Sequence, residues 1–101
     1  MPDFTKAGSD RGDIEKQLKH LLISANLTYH SYLHAIEDLT EEELKADLEE
    51  YLDQINIEII PVIKLTESLG EEHLIEKAYK VKGVYDKLVD TIKQRIEEIT
   101  K

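Results

Sequence analysis

The stretch Leu39-Thr40-Glu41-Glu42-Glu43-Leu44 decides how this chain folds, because it predicts that one helix ends and another begins within a few residues. Thr40 and Glu43 have the spacing of a capping box, in which each side chain accepts a hydrogen bond from the backbone N–H of the other residue. Leu39 and Leu44 stand where a hydrophobic staple requires apolar residues. So short a connection predicts that the two helices lie side by side and antiparallel.

Apolar residues recur at intervals of three and four on both sides of this turn, which at about 100° per residue predicts one apolar stripe on each helix. The expected stripes are Ile14, Leu18, Leu21, Leu22, Ala25, Tyr29, Tyr32, Leu33, Ile36 and Leu39; Leu44, Leu48, Tyr51, Leu52, Ile55, Ile59, Val62, Ile63 and Leu69; and Leu74, Ile75, Ala78, Val81, Tyr85, Leu88, Val89, Ile92, Ile96 and Ile99. They predict helices at about 13–38, 41–69 and 71–100, with Gly70 as the left-handed residue that ends the second.

Pro61 lies inside the predicted second helix, where it removes one backbone hydrogen bond and clashes with the carbonyl of Ile57. Because the apolar phase continues beyond it, we expect one kinked helix rather than two helices. The predicted fold is all-α: an antiparallel up-down-up three-helix bundle over residues 13–101. Residues 1–12 contain two glycines and few apolar residues, and are expected to form a flexible, disordered N-terminal segment.

Composition excludes several classes of site and of partner. The chain has no cysteine, which excludes disulfides, zinc–thiolate sites and a thiol nucleophile. Its 13 basic and 22 acidic residues give a net charge of −9, so we expect neither nucleic acid nor an anionic membrane surface as a partner. The longest apolar run, Ile59 to Ile63, is too short to span a membrane. Without an apolar signal segment near Met1, a cytoplasmic location is expected.

No sequence pattern indicates catalysis. There is no glycine-rich phosphate loop, and no Glu-x-x-His pattern of the kind that holds di-iron centres in helical bundles. The chain is therefore expected to be neither an enzyme nor a cofactor-binding protein. We expect a non-catalytic helical protein–protein interaction module that binds another protein or itself as a homodimer.

One candidate partner-binding surface lies opposite the apolar stripes of the first two helices. It comprises Ile23, Leu27, His30, His34, Ile57 and Ile60. A bundle has no need of large apolar residues at positions that face water, and several together suggest a docking or self-association patch. The alternative is that these are scattered surface residues of the kind every soluble protein carries.

A second candidate surface is a basic flank on the third helix. It comprises Lys77, Lys80, Gly83, Val84 and Lys87. An interior helix glycine costs roughly 1 kcal/mol relative to alanine, so Gly83 suggests close approach by an acidic partner. The alternative is a solvated face whose lysines pair with acids one turn away, as Lys80 would with Glu76.

The histidines suggest a different class of function, a metal-responsive or pH-responsive protein. His30 and His34 lie four residues apart on one face, with Glu37 about one turn further. Two imidazoles and a carboxylate form a weak candidate site for zinc or nickel, or a pH-sensitive polar edge. The alternative is that these histidines are simply solvated, with no metal bound.

One family resemblance involves Ile59-Ile60-Pro61-Val62-Ile63 through Glu67-Ser68-Leu69, followed by Lys80-Val81-Lys82-Gly83-Val84. In order and spacing these segments resemble BAG domains, three-helix domains that bind the nucleotide-binding domain of Hsp70 chaperones. The resemblance implies a co-chaperone in which Glu67, Lys80 and Lys82 face the chaperone. It covers less than a third of the chain. This sequence has Glu and Lys where that family has Asp and Arg.

Overall fold

The computed structural model describes residues 11–101, which form helices joined by short turns and contain no β-strand. The all-α prediction is confirmed for this range. The α-helices are α1 (Arg11–Ala35), α2 (Glu41–Gln54), α3 (Ile60–Leu69) and α4 (Glu72–Thr100), with a 3-10 turn at Ile36–Asp38 and a π turn at Ile55–Ile59. Of the predicted flexible segment 1–12, only Arg11 and Gly12 lie within the described residues, and both belong to α1.

The capping box predicted at the start of α2 is confirmed. Thr40 Oγ1 accepts a hydrogen bond from the Glu43 backbone N–H at 3.1 Å, and Glu43 Oε1 accepts one from the Thr40 N–H at 2.9 Å. Each bond satisfies a backbone donor that has no partner within the helix. The polypeptide therefore passes from the 3-10 turn into α2 with only Leu39 and Thr40 between them.

Helical backbone continues through Pro61 without a gap, as α2, the π turn and α3. Proline has no N–H to offer the carbonyl four residues earlier. Immediately before it the chain adopts the wider π turn, in which the Ile60 N–H donates to the Ile55 carbonyl five residues back. Ile55 and Ile59 of this turn and Ile63 of α3 are all buried.

The end of α3 is fixed by Gly70, which has φ of 70° and lies in the left-handed region. Its N–H donates to the carbonyls of Thr66 and Glu67 at 3.2 and 3.1 Å. This is the helix-ending geometry predicted for Gly70, since glycine adopts it without steric cost.

Helix α4 is the element against which α1, α2 and α3 all pack. Its buried residues are Leu74, Ala78, Val81, Tyr85, Leu88, Val89 and Ile92. Thr66 is the one buried polar residue of the described range, and its hydroxyl donates to the Ile63 carbonyl at 2.7 Å. Three residues predicted to lie in the apolar stripes, Leu33, Leu52 and Ile99, are exposed instead. Leu33 and Leu52 lie at stripe edges, and Ile99 lies at the end of α4.

Candidate interaction surface

Large apolar side chains are exposed on α1 and in the π turn. Ile23 is 50% exposed, Leu27 65% and Ile57 76%, and His30 and His34 are also exposed. Ile60, which was predicted to belong to this surface, is partly buried and packs against the core. Ile60 lies next to the buried Ile59 and three residues before the buried Ile63, so helical spacing places it at the edge of the core.

Leu27 lines a groove between α1 and α2. The volume of this groove is about 420 Å³. Its walls are formed by Leu27, Thr28, Ser31, Tyr32 and Ala35 of α1 and by Tyr51 of α2. Short side chains on α1 leave room above the two tyrosine rings. The groove therefore offers aromatic surface next to an exposed leucine, a combination suited to receiving an apolar side chain.

Three tyrosines, one from each of α1, α2 and α4, meet beneath this groove. The Tyr32 and Tyr51 rings meet edge to face with centroids 5.9 Å apart, and the Tyr51 and Tyr85 centroids are 6.3 Å apart. The Tyr32 hydroxyl donates to Asp47 Oδ2 at 2.7 Å, and Gln54 Nε2 donates to the Tyr85 hydroxyl at 3.0 Å. The cluster joins three helices at one level, and two of its hydroxyls are hydrogen-bonded within the chain.

Burial raises the pKa of each tyrosine in this cluster above its usual value. For Tyr32 the hydrogen bond to the Asp47 carboxylate raises the pKa further, because ionised tyrosine would lose that bond and repel the carboxylate. The three phenols therefore remain protonated at neutral pH. In this state they are neutral phenols rather than activated nucleophiles or bases.

We expect Tyr32→Phe to weaken the fold at neutral pH and to flatten the alkaline part of its stability profile. A pKa raised by folding stabilises the native state below the unfolded value near 10, and this contribution is lost as pH rises towards the folded value. Losing the bond to Asp47 should cost about 1–2 kcal/mol near neutral pH. Urea unfolding at about pH 7 and about pH 11, with Tyr29→Phe as control, measures both effects. Equal losses of stability with pH in wild type and Tyr32→Phe would contradict this account.

The basic flank of α4 is partly engaged with α1. Lys77 Nζ donates to Glu15 Oε1 at 3.2 Å, and this contact lowers the pKa of the Glu15 carboxyl. Lys80 and Lys87 are exposed, and Gly83 is partly exposed. Val84 was expected on the outer surface, but it is half-buried against the core, because it lies at the edge of the α4 stripe.

Two lysines that the sequence did not place at this surface, Lys16 and Lys19, line a groove between α1 and α4 together with Lys77 and Lys80. A signal was available, because α1 carries no acidic residue between Glu15 and its end at Ala35. The sequence alone did not show that this part of α1 lies beside the α4 lysines.

The weak metal candidate of His30, His34 and Glu37 is not assembled. Within residues 11–101 no group of three or more histidine or acidic side chains is arranged to hold a metal ion. The physical reason is that α1 ends at Ala35, so Glu37 belongs to a 3-10 turn rather than to the next turn of the same α-helix. His30 instead lies beside the Tyr29 ring, with centroids 5.6 Å apart.

Two of the three residues singled out by the BAG resemblance have partners within the chain. Glu67 accepts a hydrogen bond from the Tyr79 hydroxyl at 3.1 Å, and Lys82 Nζ donates to Asp86 Oδ2 at 2.9 Å. The third, Lys80, is exposed in the α1–α4 groove. A chaperone contact through Glu67 and Lys82 would have to replace these bonds.

Comparisons with known proteins give no relative: no family model matches the chain, and neither a curated protein nor a solved structure matches it. Among the helices of residues 11–101, none has the length and apolar character needed to cross a bilayer. The case for a function therefore rests on the surfaces described above.

Proposed function

We propose that this chain is a non-catalytic helical protein–protein interaction module that works in the cytoplasm. The observation that carries the proposal is the exposure of Ile23, Leu27 and Ile57 outside a core that is closed without them. Full burial of one such side chain contributes about 1.5–3 kcal/mol relative to full exposure. That free energy is available to association rather than to folding.

The proposed architecture is an up-down-up three-helix bundle whose second helix, α2 to α3, is kinked at Pro61. Contacts between helix ends support this order. Glu15 near the start of α1 meets Lys77 near the start of α4, which favours a parallel pair. Glu67 near the end of α3 meets Tyr79 in the early part of α4, which favours an antiparallel pair. Tyr32 late in α1 meets Asp47 in α2, as an antiparallel connection through the capping box requires.

A second copy of the chain is the first partner to test, because the exposed apolar part of α1 has no acidic residue that would repel the acidic α2 of another copy. Helix α1 has no acidic residue from Lys16 to its end at Ala35. By contrast, α2 and the π turn contain a single lysine and eight acidic residues, Glu41, Glu42, Glu43, Asp47, Glu49, Glu50, Asp53 and Glu58. A two-fold axis would set the acid-free α1 of each copy against the acidic α2 of the other.

Sedimentation at several protein concentrations tests this proposal. We expect reversible dimers, with Leu27→Asp and Ile57→Asp each raising the dimer Kd by about 10-fold or more, since each would bury an unpaired carboxylate. Leu65→Asp is the matched control, because Leu65 is an exposed leucine on α3. A monomer at about 1 mM, or equal effects of all three variants, would remove self-association through this surface.

A further inference from the structure

The α1–α4 groove concentrates positive charge on an acidic protein. Its polar lining consists of Lys16, Lys19, Lys77 and Lys80 together with Glu15, and its apolar lining is Leu18 and Leu22. Its volume is about 470 Å³. The chain as a whole has a net charge of −9, so four lysines around one acid are a local reversal of sign.

Most of this positive charge has no ion-pair partner among residues 11–101. Glu15 is bonded to Lys77 at 3.2 Å. In the part of the chain that the structure describes, Lys16, Lys19 and Lys80 make no ion pair, and neither does Lys87 one helical turn beyond Gly83. The pairing of Lys80 with Glu76 that helical spacing allows is not formed. Ion pairs with acids one helical turn away therefore do not explain why these lysines are here.

Gly83 adds a second, independent observation. It lies in the interior of α4 between Lys80 and Lys87, where alanine would favour the helix more. A Cβ atom built at Gly83 meets no heavy atom within 4 Å, and the backbone does not have positive φ. None of the residues that the structure describes requires a glycine at this position. Because glycine has no side chain, a partner can approach the backbone of α4 closely at this position.

We infer that the α1–α4 groove binds an acidic amphipathic helix of another protein. Leu22, the partly exposed leucine of the groove, would receive the apolar face of that helix. The lysines would pair with carboxylates on its flanks, and Gly83 would allow the two backbones to approach. A helix suits the site better than nucleic acid, because leucines rather than aromatic rings line the groove and the rest of the surface repels polyphosphate. This inference goes beyond the proposed function, since it uses a different surface and does not depend on Leu27 or Ile57.

The test is a titration of isotope-labelled protein with synthetic peptides of about six helical turns, followed by NMR. The probe has leucines on one face and glutamates on both flanks; the comparison peptide has lysines in place of the glutamates. We expect the glutamate peptide to shift the backbone amides of Leu22 and Gly83 with a Kd below about 1 mM, and the affinity to fall with added salt. No shift at either amide, or equal binding of the lysine peptide, would overturn the inference. So would equally tight binding of a single-stranded DNA of matching length.

Variants of the protein distinguish binding in the groove from a general effect of charge and from a change in stability. The double variant Lys19→Glu, Lys80→Glu should raise the Kd by about 10-fold or more, whereas Lys93→Glu, an exposed α4 lysine outside the groove, should change it by less than about 3-fold. Gly83→Ala should raise the Tm of the free protein by about 3–6 °C and should also weaken peptide binding. A glycine with only a structural role would not produce these two opposite effects. Leu27→Asp should leave peptide binding intact, so a failure here and a failure of self-association are distinguishable. A Gly83→Ala variant that binds the peptide as tightly as wild type, or equal effects of the groove and control lysines, would overturn the inference.

Discussion

Replacement of Leu88 by alanine is expected to lower the free energy of unfolding by about 2–5 kcal/mol. Leu88 is 1% exposed and lies in α4, the helix on which the other three pack. Truncation removes buried apolar surface and leaves a cavity that neighbouring helices fill only in part. Since a domain of this size is stabilised by roughly 5–15 kcal/mol in total, the variant should unfold at a much lower urea concentration.

The matched control for Leu88→Ala is Ile99→Ala, in the last turn of the same helix. Ile99 is exposed, so its truncation should change the free energy of unfolding by no more than about 0.5 kcal/mol. Urea unfolding of both variants followed by circular dichroism gives the comparison. Similar losses from both would show that burial along α4 does not decide the stability of the fold.

Enlargement of Ala78 to leucine is expected to destabilise the fold by about 1–3 kcal/mol. Ala78 is 1% exposed and belongs to the core, where small side chains let neighbouring helices approach α4 closely. A leucine there has to displace well-packed neighbours or adopt a strained rotamer. Thermal unfolding should therefore show a lower Tm, although the substitution adds apolar surface.

Ala46→Leu controls for the general effect of adding a leucine to a helix. Ala46 is exposed on α2, so the added side chain has space and should leave the Tm nearly unchanged, within about 3 °C. A Tm that rises in Ala78→Leu would mean that α4 has room for a larger side chain, against the close packing described here.

Features decided by neighbouring residues could be predicted from the sequence. The Thr40–Glu43 capping box and the left-handed Gly70 depend on interactions within a few residues, and both are present as expected. The alternation of apolar residues likewise predicted most of the core. In each case the physical cause is local hydrogen bonding or helical period, which a single sequence displays directly.

Features decided by contacts between helices could not be predicted from the sequence. Ile60 lies at the edge of its apolar stripe, and its partial burial depends on how that edge packs against the core. The lysine-lined groove depends on α1 lying beside α4, which brings Glu15 to Lys77 across 62 positions of sequence. No local pattern encodes that pairing, so the basic flank was predicted from α4 alone and its α1 half was missed.

The measurement that most directly tests the division between core and binding surface is the free energy of unfolding of the double variant Ile23→Gln, Leu27→Gln in dilute solution. Glutamine keeps a high helix propensity, so the comparison reports what the two apolar side chains do within a single chain. If the fold has no need of them, the variant and the wild type should agree within about 0.5 kcal/mol. A loss of about 2 kcal/mol or more would place these residues in the core and contradict their assignment to a partner-binding surface.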